Sequence, residues 1–75
     1  MLYDPKDVDR VNRFIKDFKF SADYFPDIVR ISQYCGITDR QARIVTRILS
    51  REKKITISDS QGHIQIMSIV GENRK

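Results

Sequence analysis

Residues 31–49 read ISQYCGITDRQARIVTRIL, and the fold turns on how this stretch divides around Gly36. Before the glycine, Ile28, Ile31 and Cys35 recur at helical spacing, flanked by Val29 and Tyr34, and describe the buried side of a short helix. Gly36 then ends that helix, because glycine takes a positive φ at little cost. After it, Thr38-Asp39-Arg40-Gln41 sets a threonine three residues ahead of a glutamine. This is the capping-box pattern, in which the Thr38 hydroxyl and the Gln41 amide satisfy two backbone groups that a helix start leaves orphaned. In the helix that follows, Ala42, Val45 and Leu49 form one stripe, widened by Ile44 and Ile48. Arg40, Arg43, Arg47 and Ser50 fall on the opposite arc, with Thr46 at one margin and Arg51 at the other. Burying the first set exposes the second.

Working outward toward the N-terminus, a helix is expected after Asp4-Pro5, since proline suits a first turn and Asp4 or Asp7 suits the positive end of the helix dipole. Val8, Val11, Phe14, Ile15 and Phe18 make its apolar side and leave Asp9, Arg10, Arg13, Lys16 and Asp17 outside. Core packing, rather than a dimer seam, is the expected use of that stripe. Residues 20–26, FSADYFP, read as a connection into the second helix, with either Ser21 or the region of Pro26 as its start.

Toward the C-terminus the period changes from helical to alternating. Ile55 and Ile57 share one strand face, Ile64 and Ile66 share another, and the polar run Ser58-Asp59-Ser60-Gln61-Gly62 separates them. That pattern predicts a β-hairpin, with Ile69 and Val70 prolonging its second strand and a flexible tail over residues 71–75.

Size and composition set limits on function. A chain of 75 residues buries one modest core. One cysteine, Cys35, and one histidine, His63, supply neither a disulfide nor a metal cluster, so no metal and no cofactor is expected. No apolar run has the length of a membrane span, and the first residues lack the regions of a signal peptide, so a cytoplasmic protein is expected. The net charge of +4 is concentrated. Acids and bases cancel in residues 1–25 and again in 55–75. The whole excess lies in residues 26–54, where Arg30, Arg40, Arg43, Arg47, Arg51, Lys53 and Lys54 face only Asp27, Asp39 and Glu52. Such a localised field is expected of a surface that meets a polyanion.

Taken together, residues 27–66 resemble a winged helix-turn-helix domain. The resemblance rests on apolar Ile31, small Ser32, Cys35, the turn glycine Gly36, apolar Ile37, then Ala42, Val45 and Leu49, followed by a hairpin from Ile55. It implies an α+β fold, three helices followed by a two-stranded β-hairpin wing, in a single domain over residues 1–75. The helix-turn-helix would occupy about 27–51 and the wing about 54–68. Two departures stand out. Where relatives often have glycine, between the third helix and the wing, this chain has Lys53; it adopts a positive φ at about 1 kcal/mol, or the turn is built differently. The tip Asp59-Ser60-Gln61-Gly62-His63 holds no lysine or arginine, which points to a structural wing.

The resemblance makes the third helix a recognition helix for double-stranded DNA, with Thr38, Arg40, Gln41, Arg43, Thr46 and Arg47 as candidate contacts. Lys53 and Lys54 join them at the junction with the wing. Thr38 and Gln41 have capping as their main expected task. Arg30, Lys19 and Tyr34 are weaker candidates for phosphate contacts from the flanks. Cys35 reads as a small buried hydrophobe and His63 as wing surface. No nucleophile elbow, phosphate loop or metal motif occurs, so no enzyme, catalytic residue or small-molecule substrate is expected. The implied function is transcriptional regulation, similar to small regulators of phages, archaeal viruses and plasmids, in the host cytoplasm if viral. The motif is also similar to the N-terminal DNA-binding part of some phage replication initiators. A homodimer is expected, through the exposed remainder of helix one or the Ile69-Val70 end, because operators often pair two half-sites. The alternative is a winged-helix interaction module that docks on an acidic partner in a transcription or replication complex.

Overall fold

Asp4 starts the first helix by accepting a hydrogen bond from the Lys6 N–H at 2.9 Å, and Pro5 occupies the first turn, where its missing N–H is no loss. In the computed structural model, which describes residues 3–71, this helix, α1, runs Pro5–Ala22. It is followed by α2 (Ile28–Cys35), α3 (Asp39–Arg51) and an antiparallel hairpin of β1 (Ile55–Ser60) and β2 (His63–Ile69). Three helices and a two-stranded wing are the expected α+β winged-helix layout.

The connection after α1 starts later than the sequence pattern implied. Phe20 and Ser21 are still helical, although Phe20 is 90% exposed, and the chain leaves the helix only at Asp23, in the left-handed region at φ 66°. Hydrophobicity gives no stop signal there; the helix ends at the left-handed Asp23, whose N–H bonds to the Lys19 carbonyl at 2.9 Å. Of the two expected starts for α2, the one near Pro26 holds: Asp27, not Ser21, caps the helix, accepting from the Arg30 N–H at 2.8 Å.

At the other end of α2, Gly36 is left-handed at φ 67°, with open space around the place of a Cβ. Backbone conformation, not crowding, therefore demands glycine in the turn. Two side chains secure this corner. The Ser32 hydroxyl donates to the Ile37 carbonyl at 2.6 Å, and Arg10 of α1 donates to the Cys35 carbonyl at 2.6 Å while pairing with Asp7. A guanidinium thus covers the negative end of the α2 dipole.

The core lies where α1, α2, α3 and the base of the hairpin meet. Val11, Ile15, Ile31, Cys35, Ala42, Val45, Leu49, Ile55 and Ile66 form one buried cluster. Phe14 continues it outward as a ladder of rings, stacked on Tyr34 at 5.2 Å and tilted against Phe18, which meets Tyr24 edge-on. An isolated hairpin is marginal in water, so Ile55 and Ile66 hold the wing to the helices.

The wing is not a regular ladder. Ser60 pairs with His63 across a two-residue turn in which Gln61 and Gly62 both have positive φ, as a type I′ turn requires. Farther down, Ile57 pairs with Ile66 but Thr56 with Ser68, so Met67 is an extra residue in β2. This bulge resets the alternation: Ile64 and Ile66 are buried, Met67 points out, and Ile69 returns inward opposite Ile55. Val70 adds one more backbone bond, to the Lys54 carbonyl at 3.0 Å. Of the expected tail, Gly71 is described and residues 72–75 lie outside the described residues.

The helix–wing junction resolves the question posed by Lys53. Its φ is 63°, its N–H bonds to the Ser50 carbonyl, and the Lys54 N–H bonds to that of Leu49. This is the Schellman ending, with lysine where glycine is favoured. Lys53→Gly should therefore raise stability by about 1 kcal/mol, seen as a rise of about 4–8 °C in thermal midpoint by circular dichroism.

Candidate nucleic-acid interface

The inner side of α3 decides what its outer side presents. Ala42, Val45, Thr46 and Leu49 are fully buried, whereas Ile44 and Ile48 are only half-buried. The helix is turned toward Thr46 compared with a face drawn from its aliphatic residues alone. The expectation that Thr46 stands at the margin of the contact arc is thereby corrected. Its exposure is 0%, and its hydroxyl donates back to the Ala42 and Arg43 carbonyls at 3.0 and 2.9 Å. A hydroxyl so satisfied packs almost as an apolar group, which is why a polar residue fits there.

The same rotation brings Arg51 from the margin into the exposed arc. Arg40, Arg47 and Arg51 are exposed, with half-buried Ile44 between the first two. They follow one another at spacings of seven and four, so they line up along a single face. Arg43 is half-buried at the flank. It borders a cleft of about 210 Å³ with Asp39, Asp27 of the α2 cap and Gly62-His63 of the wing tip. Arg40 and Arg47 thus meet the expected exposure, Arg43 does so in part, and Arg51 joins them.

Thr38 and Gln41 carry out the capping role: the Gln41 N–H donates to Thr38 Oγ1, and the Thr38 N–H donates to Gln41 Oε1, each at 3.0 Å. Thr38 remains exposed at the start of the arc. Lys53 and Lys54 are exposed beyond its other end. The flanking candidates are occupied elsewhere. Lys19 pairs with Asp23 at 3.5 Å and lies over the Phe25 ring, and Arg30 lies over Phe18 near the Tyr24 hydroxyl. Tyr34 is 71% exposed but presses one ring face on Phe14.

One member of the site was absent from the sequence reading. Asp59, near the wing tip, accepts a hydrogen bond from Arg47 Nε at 2.9 Å. The bond joins the outer face of α3 to β1, twelve residues apart, and no local spacing signals it. The only hint is compositional: Asp59 is the one acid in the hairpin. The Arg47 hydrogen bond holds its carboxyl below the ordinary 3.8, with the Gly62 amide adding to the effect. Elsewhere, burial pushes the Cys35 thiol up, opposed by Arg10 and aided by Asp7, so the thiolate that a nucleophile needs is disfavoured. Among the described residues, no group of three or more His, Cys, Asp or Glu is arranged to hold a metal ion, and no helix is long and apolar enough to cross a membrane.

Because the Asp59 carboxyl is depressed by folding, its ion pair contributes stability above the unfolded value and loses it as pH falls through the lower, folded value. An NMR titration of the Asp59 carboxyl should find a midpoint below 3.8 in the native protein. In Arg47→Ala the midpoint should move back up toward that value. No family model matches this chain, and no curated protein or solved structure is significantly similar to it.

Proposed function

We propose that this chain binds double-stranded DNA through α3 in the major groove and serves as a transcriptional regulator. The observation that carries the reading is the row of Arg40, Arg47 and Arg51 on the outward face of a helix that has no acidic residue between them. At about 1.5 Å per residue the row spans about 16 Å, the height of about five base-pair steps. An α-helix fits the major groove, where arginine pairs with guanine O6 and N7 or neutralises the phosphates at the rim. Lys53 and Lys54 extend the positive face toward the wing, where a DNA backbone passing the helix end would run. Thr38 stands exposed at the other end, where the positive end of the α3 dipole favours a phosphate.

A single module of this size makes a small interface, so specific recognition calls for two copies on paired half-sites. Docking of the same face on an acidic protein is the competing reading, and salt dependence separates the two. Binding of the native protein to a random duplex should weaken as salt rises, by about 0.9 in log affinity per log salt for each phosphate neutralised. Arg40→Ala, Arg47→Ala and Arg51→Ala combined should reduce low-salt affinity more than about tenfold and flatten the slope by about two, one for each of Arg40 and Arg51, since Arg47 already faces Asp59. Thr46→Val, which alters a buried group, should leave both unchanged. No measurable binding of the native protein at low salt would overturn the proposal.

A further inference from the structure

The Arg47–Asp59 bond uses one particular edge of the guanidinium. Asp59 accepts from Nε, and no hydrogen bond to either terminal nitrogen of Arg47 is found among the described residues. Arginine carries five N–H groups in a rigid plane, so fixing the Nε edge also fixes the direction of the two Nη groups. The side chain is 43% exposed and its partner 34%, so the pair lies at the surface beside the outward face of α3. Asp59 is itself set in place, on a strand one pair from the pair that flanks the type I′ turn.

An arginine that serves only to attract phosphate gains nothing from a carboxylate against it. The acid cancels much of its charge and repels the same phosphates. An arginine that reads a base gains a great deal, because a bidentate contact to guanine O6 and N7 needs both terminal groups held in plane at one angle. A free arginine loses the freedom of several torsions on making that contact; one already braced has lost it on folding. Arg40 and Arg51 are exposed and have no such brace among the described residues.

From this geometry we infer that Arg47 is the guanine-reading residue of the α3 face and that Asp59 is its positioning residue, supplied by the wing. The inference rests on the DNA-binding reading and adds a division of labour to it. Arg40 and Arg51 supply affinity without regard to sequence, and the braced Arg47 supplies preference for a G·C pair at one position. The wing then contributes to recognition without touching DNA.

The test is a selection of bound sequences from a random duplex pool, run with the native protein, Asp59→Asn, Asp59→Ala and Arg47→Ala, each checked for native circular dichroism. In parallel, affinity for a fixed random duplex is measured at low salt. The native protein should select one G·C position. Asp59→Ala should reduce that preference by about tenfold while its affinity for the random duplex stays equal or increases, since a negative charge has gone. Asp59→Asn, which keeps the shape and one acceptor, should fall between. Arg47→Ala should lose the same position and no other, and adding Asp59→Ala to it should change the selected sequence no further. Unchanged preference in Asp59→Ala, with affinity rising for every sequence, overturns the inference and leaves DNA binding intact. Absence of binding by the native protein overturns both together.

Discussion

The rotation of α3 about its own axis is the constraint on which the rest depends. Four buried side chains, Ala42, Val45, Thr46 and Leu49, set it. Burial of one valine or leucine is worth about 1.5–3 kcal/mol, far more than any preference of an exposed arginine for one direction over another. The inner side therefore determines the outer side, and the arginines lie where the core leaves them. The turn at Gly36, the Ser32 bond and the Arg10 bond to the Cys35 carbonyl all serve to bring α2 to the angle at which that inner side can be closed.

Basic residues in this chain are consequently not equivalent, although a count treats them alike. Arg10 is drawn into a helix end, Arg30 lies on a ring, and Lys19 is shared between Phe25 and Asp23. Each of these has its charge directed at the protein itself. Arg40, Arg51, Lys53 and Lys54 have theirs directed outward. Arg47 is between the two, tied at one edge and open at the other. The local excess of charge in residues 26–54 located the face, and only the three-dimensional partners distinguish its members.

What the sequence made readable was local. The capping box at Thr38, the glycine turn, the left-handed strain at Lys53 and the alternating hairpin each follow from interactions between residues a few positions apart. Periodicity also found most of the core, since Ile31, Ala42, Val45 and Leu49 are all buried. It failed at Thr46 because a hydrophobicity pattern counts a hydroxyl as polar, whereas helix geometry lets that hydroxyl bond to the preceding turn. It missed Asp59 because a bond between a helix and a strand depends on how the hairpin docks. The length of α1 was unreadable for a related reason: Phe20 is helical without being buried, so its conformation leaves no mark on the apolar stripe.

The extra residue at Met67 divides the hairpin into two segments with different tolerance for change in length. Below it, the backbone is tied to Lys54 and Ile55, and one residue more or fewer would exchange the inward and outward rows. Above it, the ladder from Ile57–Ile66 to Ser60–His63 is regular, and residues added in matched pairs beside the turn would preserve both rows. Added length in the wing is thereby tolerated at its far end. A longer wing would keep its seat on the helices, and Asp59, on the helix side of the added pairs, would keep its place against Arg47.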